Sequence, residues 1–167
     1  MINRIFRDNG AIGAILDEYE KTIIELNDVI QGIPQKQLIA TVDFQTKDED
    51  CKSIQTILTH VVSSGYNYVI VIRKWLGESV SYKEKLALNS FEEYQIALQE
   101  MFAFNEQIFR DYPHLKLCEY DPSKKIKTRW GQFYDVEQLF EHAIVHILRH
   151  RRQIEKFKVM LISKLDE

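Results

Sequence analysis

The chain is poor in the residues that interrupt helices or staple small folds. Of its 167 residues, six are Gly, three are Pro and two are Cys. Gly and Pro punctuate turns, so their scarcity leaves room for long uninterrupted helices. Cys51 and Cys118 form no C-x-x-C pair. That argues against an all-cysteine zinc site and a disulfide framework, and predicts reduced thiols in a cytosolic setting. No long basic block occurs and the formal net charge is −3. The electrostatic footprint of a nucleic-acid partner is therefore missing. The first twenty residues hold no apolar core of the kind that marks a signal peptide. No apolar run reaches the ~18 residues that a membrane span needs. The longest candidate, residues 66–72, is flanked by Arg73 and Lys74.

What is there is ordinary in bulk and specific in detail. A 45% apolar, 28% charged composition is that of a soluble globular protein, and the length predicts one domain over residues 1–167. Apolar residues recur at three-four spacing in four stretches. The first stretch, about 9–31, carries Ile12, Leu16, Tyr19, Ile23, Leu26 and Ile30, and Gly32-Ile33-Pro34 closes it. Residues 35–50 are predicted as loop, acidic at their end. The second helix starts at an N-cap on Ser53 and stops at Gly77, with a seam of Ile57, Val61, Ser64, Tyr68, Val71 and Trp75. The third opens on the capping box Ser90-x-x-Glu93 and runs to about Asp111. Its seam is Tyr94, Leu98, Met101 and Ile108, with Asn105 as an interruption. Met101, Phe102 and Phe104 are predicted to fill core.

Residues 112–133 form the longest irregular stretch, with Trp130 and Phe133 expected to pack it back onto the helices. Its basic run, residues 124–129, is predicted to be solvated, and His114 is predicted on the surface. The fourth helix opens at Asp135 and runs to about Ile162. Lys158 and Lys164 near its end would complement its dipole. Four helices of this kind predict an all-α fold, a four-helix bundle, and periodicity alone leaves the helix order open.

The fourth helix holds the candidate site. Val136, Leu139, Ala143, Ile154, Phe157 and Leu161 define its seam, and His146 and His150 occupy the two seam positions between Ala143 and Ile154. Four residues advance a helix face by only about 40°. The two imidazoles thus stand on one buried stripe, where Leu or Ile is the usual choice. Each buried ring nitrogen needs a partner. Two readings satisfy that need: a pair of core histidines bonded to side chains or water, or a pair of ligands on one cation. The spacing resembles H-E-x-x-H, but its Glu is missing, so the protease reading is not available. His60, between Ile57 and Ser64, lies on or beside the buried face of the second helix.

The order of these residues carries a resemblance. A histidine early in the second helix, then His146-Ile-Leu-Arg-His150 followed by Arg151-Arg152-Gln153, is similar to the DinB-like superfamily of four-helix bundles. Residues 54–62 also resemble that family's second helix. The resemblance implies an up-down-down-up helix order, frequently a homodimer, and a divalent metal, commonly zinc or nickel, held by His60, His146 and His150. Arg152 stands where the family often has Gly. His142 lies one turn before His146, outside the family pattern, and is expected beside the site rather than on the metal.

Three neutral imidazoles would leave a position open on zinc, as in catalytic sites. Their other nitrogens need acceptors, for which Asn67 and Glu141 are candidates. Affinity for the metal should fall below about pH 6.5, where protons compete. The resemblance further implies a metal-dependent enzyme on a small-molecule substrate, with a low-molecular-weight thiol as cosubstrate or an activated water in a hydrolytic variant. No general acid or base stands out. A non-catalytic metal- or small-ligand-binding stress-response protein is the second expectation. A structural dimer with a merely polar core is the third.

Overall fold

A computed structural model describes residues 6–163. The described chain is mostly helical: α1 (Gly10–Ile30), α2 (Gln35–Ile39), α3 (Ile54–Trp75), α4 (Phe91–Asp111) and α5 (Val136–Ser163). Single 3-10 turns occur at Glu49–Cys51 and Pro122–Lys124, and β1 (Ile126–Lys127) pairs antiparallel with β2 (Phe133–Tyr134).

The long helices start where the caps place them. The Ser53 hydroxyl accepts from Thr56 N at 3.1 Å, and Thr56 Oγ1 accepts from Ser53 N at 3.0 Å. Ser90 and Glu93 repeat the device on α4, and Asp135 with Gln138 repeats it on α5. Each box satisfies backbone N–H groups that a helix start leaves open. Gly32 and Gly77 follow α1 and α3 at φ 72° and 94°, a left-handed conformation costly for other residues.

α1 packs against α4 and α5, and α3 packs against the same two helices. One apolar cluster fills the space between them, including Tyr19, Leu26, Ile57, Leu98 and Phe140. The consecutive long helices α1 and α3 are not one of the main packed pairs, which is why their connection is long. On the way it forms α2, which lies against α3 and buries Leu38. At Gly65 the α3 and α4 surfaces meet so closely that a methyl group would overlap Met101 Sδ. Asn105, the interruption in the α4 seam, is buried, and its Nδ2 donates to Tyr19 OH at 2.8 Å. Among the contacts that join α1 to α5 are Tyr19 with Phe140, Glu25 with Arg151, and Val29 O with Lys158.

Several expectations change. Residues 35–50 are not all loop, since α2 and part of a 3-10 turn lie within them. Trp75 is 45% exposed and Ser64 half-buried, so the inward face of α3 runs through Leu58, Val69 and Ile72 as well. Phe133 is exposed rather than packed. Lys158 donates to a carbonyl in the last turn of α1, so it serves that helix end rather than its own. Lys164 lies outside the described residues. No helix is long and apolar enough to cross a membrane among the described residues.

Candidate metal centre

Two helices bring three imidazoles together. His60 sits in the second turn of α3, and His146 and His150 stand one turn apart on α5. One ligating atom from each lies within 4.8 Å of the other two. His60 Nε2 faces His146 Nε2 at 2.9 Å. His146 and His150 are buried, at 7% and 6% exposure, as their seam positions predict.

Each flanking ring has its outer nitrogen addressed. His150 Nδ1–H donates to Gln153 Oε1 at 3.2 Å, which leaves the Nε2 lone pair for the cluster. His60 Nδ1 lies 2.9 Å from Asp50 Oδ2, close enough for charge attraction but off the axis of a hydrogen bond. Asp50 is in turn gripped by Lys85 Nζ, 2.5 Å from both carboxylate oxygens. The hydrogen-bonded acceptor is therefore Gln153, and Asp50 is the carboxylate that faces His60. Asn67 is occupied elsewhere, bonding the Lys83 backbone on both its N–H and C=O, and Glu141 is exposed. His146 Nδ1 is buried with no partner.

Burial holds these rings neutral. It pulls His146 down from the usual 6.5 to about 2, helped by the neighbouring His150 and His60. His60 is lowered by burial, partly offset by Asp50. His150 is lowered by burial and His60, partly offset by Gln153. Neutral imidazole is the form that binds metal.

The donor set fits a divalent cation. Two neutral imidazoles face to face can share one proton, and a third beside them has no place in that bond. A tetrahedral ion with nitrogens at about 2.0–2.1 Å sets them about 3.3 Å apart, between the 2.9 Å contact and the 4.8 Å limit of this cluster.

The surroundings are aromatic. His142 is half-buried and stacks on Trp130, with ring centroids 5.1 Å apart at 22°. Tyr68 meets both His142 and His146 edge-on. Burial raises the Tyr68 hydroxyl above its usual range. The Cys51 thiol donates to Asp48 Oδ2 at 3.5 Å, and burial raises it too. Arg152 is exposed and turned away from the cluster.

A cleft of about 360 Å³ opens on His60, with Ser64, Tyr68, Arg129 and Trp130 in its walls. A second, of about 390 Å³, lies where α4 ends and α5 begins, beside Pro113, Leu115, Cys118 and Ile126. Two of its polar side chains are already engaged: Lys125 with Asp135 at 3.2 Å, and Cys118 Sγ with Glu137, which raises the thiol.

The histidine triad was visible in the sequence. Asp50, Gln153 and the Arg129-Trp130 pair were not singled out as parts of the site. Gln153 stands three residues past His150, a helical neighbour spacing that could have marked it. A scan against protein-family models and a search of curated proteins both gave no match to this chain.

Proposed function

We propose that this chain is a divalent-metal-dependent enzyme of the DinB-like kind, with His60, His146 and His150 as ligands. The convergence of three neutral ring nitrogens on one point carries this reading. Imidazole donors suit zinc and nickel, and three protein ligands leave a position for a substrate atom.

An up-down-down-up bundle is part of the same reading, and the pairings support it. Tyr19, Glu25 and Val29 meet Phe140, Arg151 and Lys158 in rising order, as parallel helices do. Thr59 and Arg73 meet Tyr94 and Asp111, again rising. His60 and Tyr68 meet His150 and His142, which falls, as does Tyr19 and Asn27 with Asn105 and Gln95. The homodimer rests on the resemblance alone, and the cytosolic location on cysteine usage alone.

In this reading a bound cation supplies Lewis acidity, lowering the pKa of a thiol or a water brought to it. Gln153 holds the tautomer of His150, and the Asp50 carboxylate faces His60 Nδ1. Trp130, Tyr68 and His142 screen the site from water on one side. A small molecule enters by the cleft over His60, with a low-molecular-weight thiol as its proposed cosubstrate.

Asp50 is the carboxylate nearest the histidines, and Lys85 and His60 occupy it. With that carboxylate engaged, a non-catalytic metal- or small-ligand-binding protein is the second reading. The test is turnover of a chromogenic electrophile with a panel of small thiols, on zinc- or nickel-loaded protein. Turnover that disappears in His150→Ala supports the enzyme. Bound metal without turnover across the panel moves the conclusion to the second reading.

A further inference from the structure

Between β1 and β2 the chain makes a tight loop, Thr128-Arg129-Trp130-Gly131-Gln132. Thr128 is buried, and its backbone N and its hydroxyl both donate to Gln132 O, at 2.8 and 2.9 Å. The same hydroxyl accepts from Gln132 N at 3.1 Å. Gly131 takes φ 88°, a conformation that L side chains rarely adopt. Gln132 Oε1 then accepts from Trp130 Nε1 at 2.9 Å and from Tyr134 OH at 2.6 Å. The loop is thus bonded on itself at every turn. What it presents to the cleft over His60 is one guanidinium and one indole.

The indole is laid against His142, with Tyr68 at its edge. The guanidinium of Arg129 rests over the Tyr82 ring at 4.7 Å, which steadies it without neutralising it. No carboxylate of the described residues pairs with Arg129, nor with Arg149, whose charge bears on Tyr68, His142, His146 and His150. By contrast Arg7, Arg73, Arg110 and Arg151 all make ion pairs. An unpaired guanidinium on a rigid loop, beside aromatic walls and above a metal-ligating histidine, is a receptor for a planar anion.

We propose that the cleft over His60 takes a small molecule bearing a carboxylate, which Arg129 receives while Trp130 and Tyr68 flank its body. The volume of about 360 Å³ suits a ligand of that size. This deepens the proposed function by naming the substrate class, and in its full form it rests on the metal reading.

The probes are 3-mercaptopropionate and 3-mercaptopropanol, of equal length and different charge. Their binding is read in two channels. One is the thiolate-to-metal absorption of cobalt-loaded protein. The other is Trp130 fluorescence in a metal-free Trp75→Phe background. The expected result is tighter binding of the carboxylate by about tenfold or more, the effect of a charge-assisted hydrogen bond. Arg129→Gln should remove that preference without changing affinity for the alcohol, and Arg129→Lys should restore part of it. Equal affinities in both channels, with cobalt bound, overturn this inference and leave the metal reading standing. A carboxylate preference lost in Arg129→Gln, without cobalt uptake, supports the cleft and overturns the metal reading. Neither uptake nor preference overturns both.

Discussion

The two clefts differ in what their walls leave undone. The larger, by Cys118 and Pro113, has two of its polar side chains engaged: Lys125 faces Asp135, and the Cys118 thiol faces Glu137. The smaller opens on His60, one of three imidazoles aimed at one another, with a buried His146 Nδ1 that has no partner behind it and an exposed, unpaired Arg129 in its wall. Volume would favour the first. Unsatisfied donors and acceptors favour the second, because a buried polar group left unpaired costs about 1–3 kcal/mol unless something else completes it. Unfinished chemistry, rather than empty space, marks the candidate site.

The comparison can be broken by substitution on either side. The largest effect is expected from His146→Ala, which removes the central ligand. Metal uptake measured by equilibrium dialysis should disappear while circular dichroism keeps the helical signal. Cys118→Ala, in the other cleft, should leave uptake unchanged. A loss of helicity in both His146→Ala and His150→Ala would make the histidines structural instead.

Next comes Asp50→Asn. Partners that orient a ligating imidazole are typically worth 10–100-fold in metal affinity. A competition titration against a chelator should show a loss of about that size, with less loss in Lys85→Met, since Lys85 grips Asp50 and touches no ligand nitrogen. An unchanged affinity in Asp50→Asn would remove Asp50 from the site.

Acid should separate the two regions as well. The triad histidines are all lowered in the folded protein, His146 to about 2. Below the usual 6.5 the unfolded chain therefore binds protons that the folded chain refuses. Stability of the metal-free protein should fall as pH drops through that window. The thermal midpoint followed against pH checks this, and His146→Leu should flatten the slope. The same lowering carries the onset of proton competition for the metal below the pH 6.5 that free imidazole predicts.

The smallest effect belongs to the settled cleft. Asp135→Ala removes the Gln138 cap bond and the Lys125 pair together. The cost should be about 1–2 kcal/mol in chemical denaturation, with metal affinity untouched.

Much of this was legible in the sequence because it is local. Ser53, Ser90 and Asp135 announce helix starts by bonds to residues three positions on, and Gly32 and Gly77 announce stops. The stripe that buries His146 and His150 is a helical repeat, readable without knowing what lies opposite. The rest depends on residues far apart in the chain. Asp50 reaches His60 only because the α1–α3 connection folds back along α3, and Lys85 reaches Asp50 from a third segment. Arg129 looked like the end of a solvated basic stretch and Trp130 like a packing residue, because two strands of two residues each leave no periodic signal to place them over His60. Lys158 was assigned to its own helix end, whereas its acceptor, Val29 O, belongs to a neighbouring helix.

The most direct test of the central claim is metal content by inductively coupled plasma mass spectrometry. It should be run on protein purified without a histidine tag, beside the His60/His146/His150 triple alanine variant. The expected result is about one equivalent of zinc or nickel per chain, and none in the variant. No metal in the native chain, with no uptake after either ion is added, would contradict it and leave three core histidines that serve only the fold.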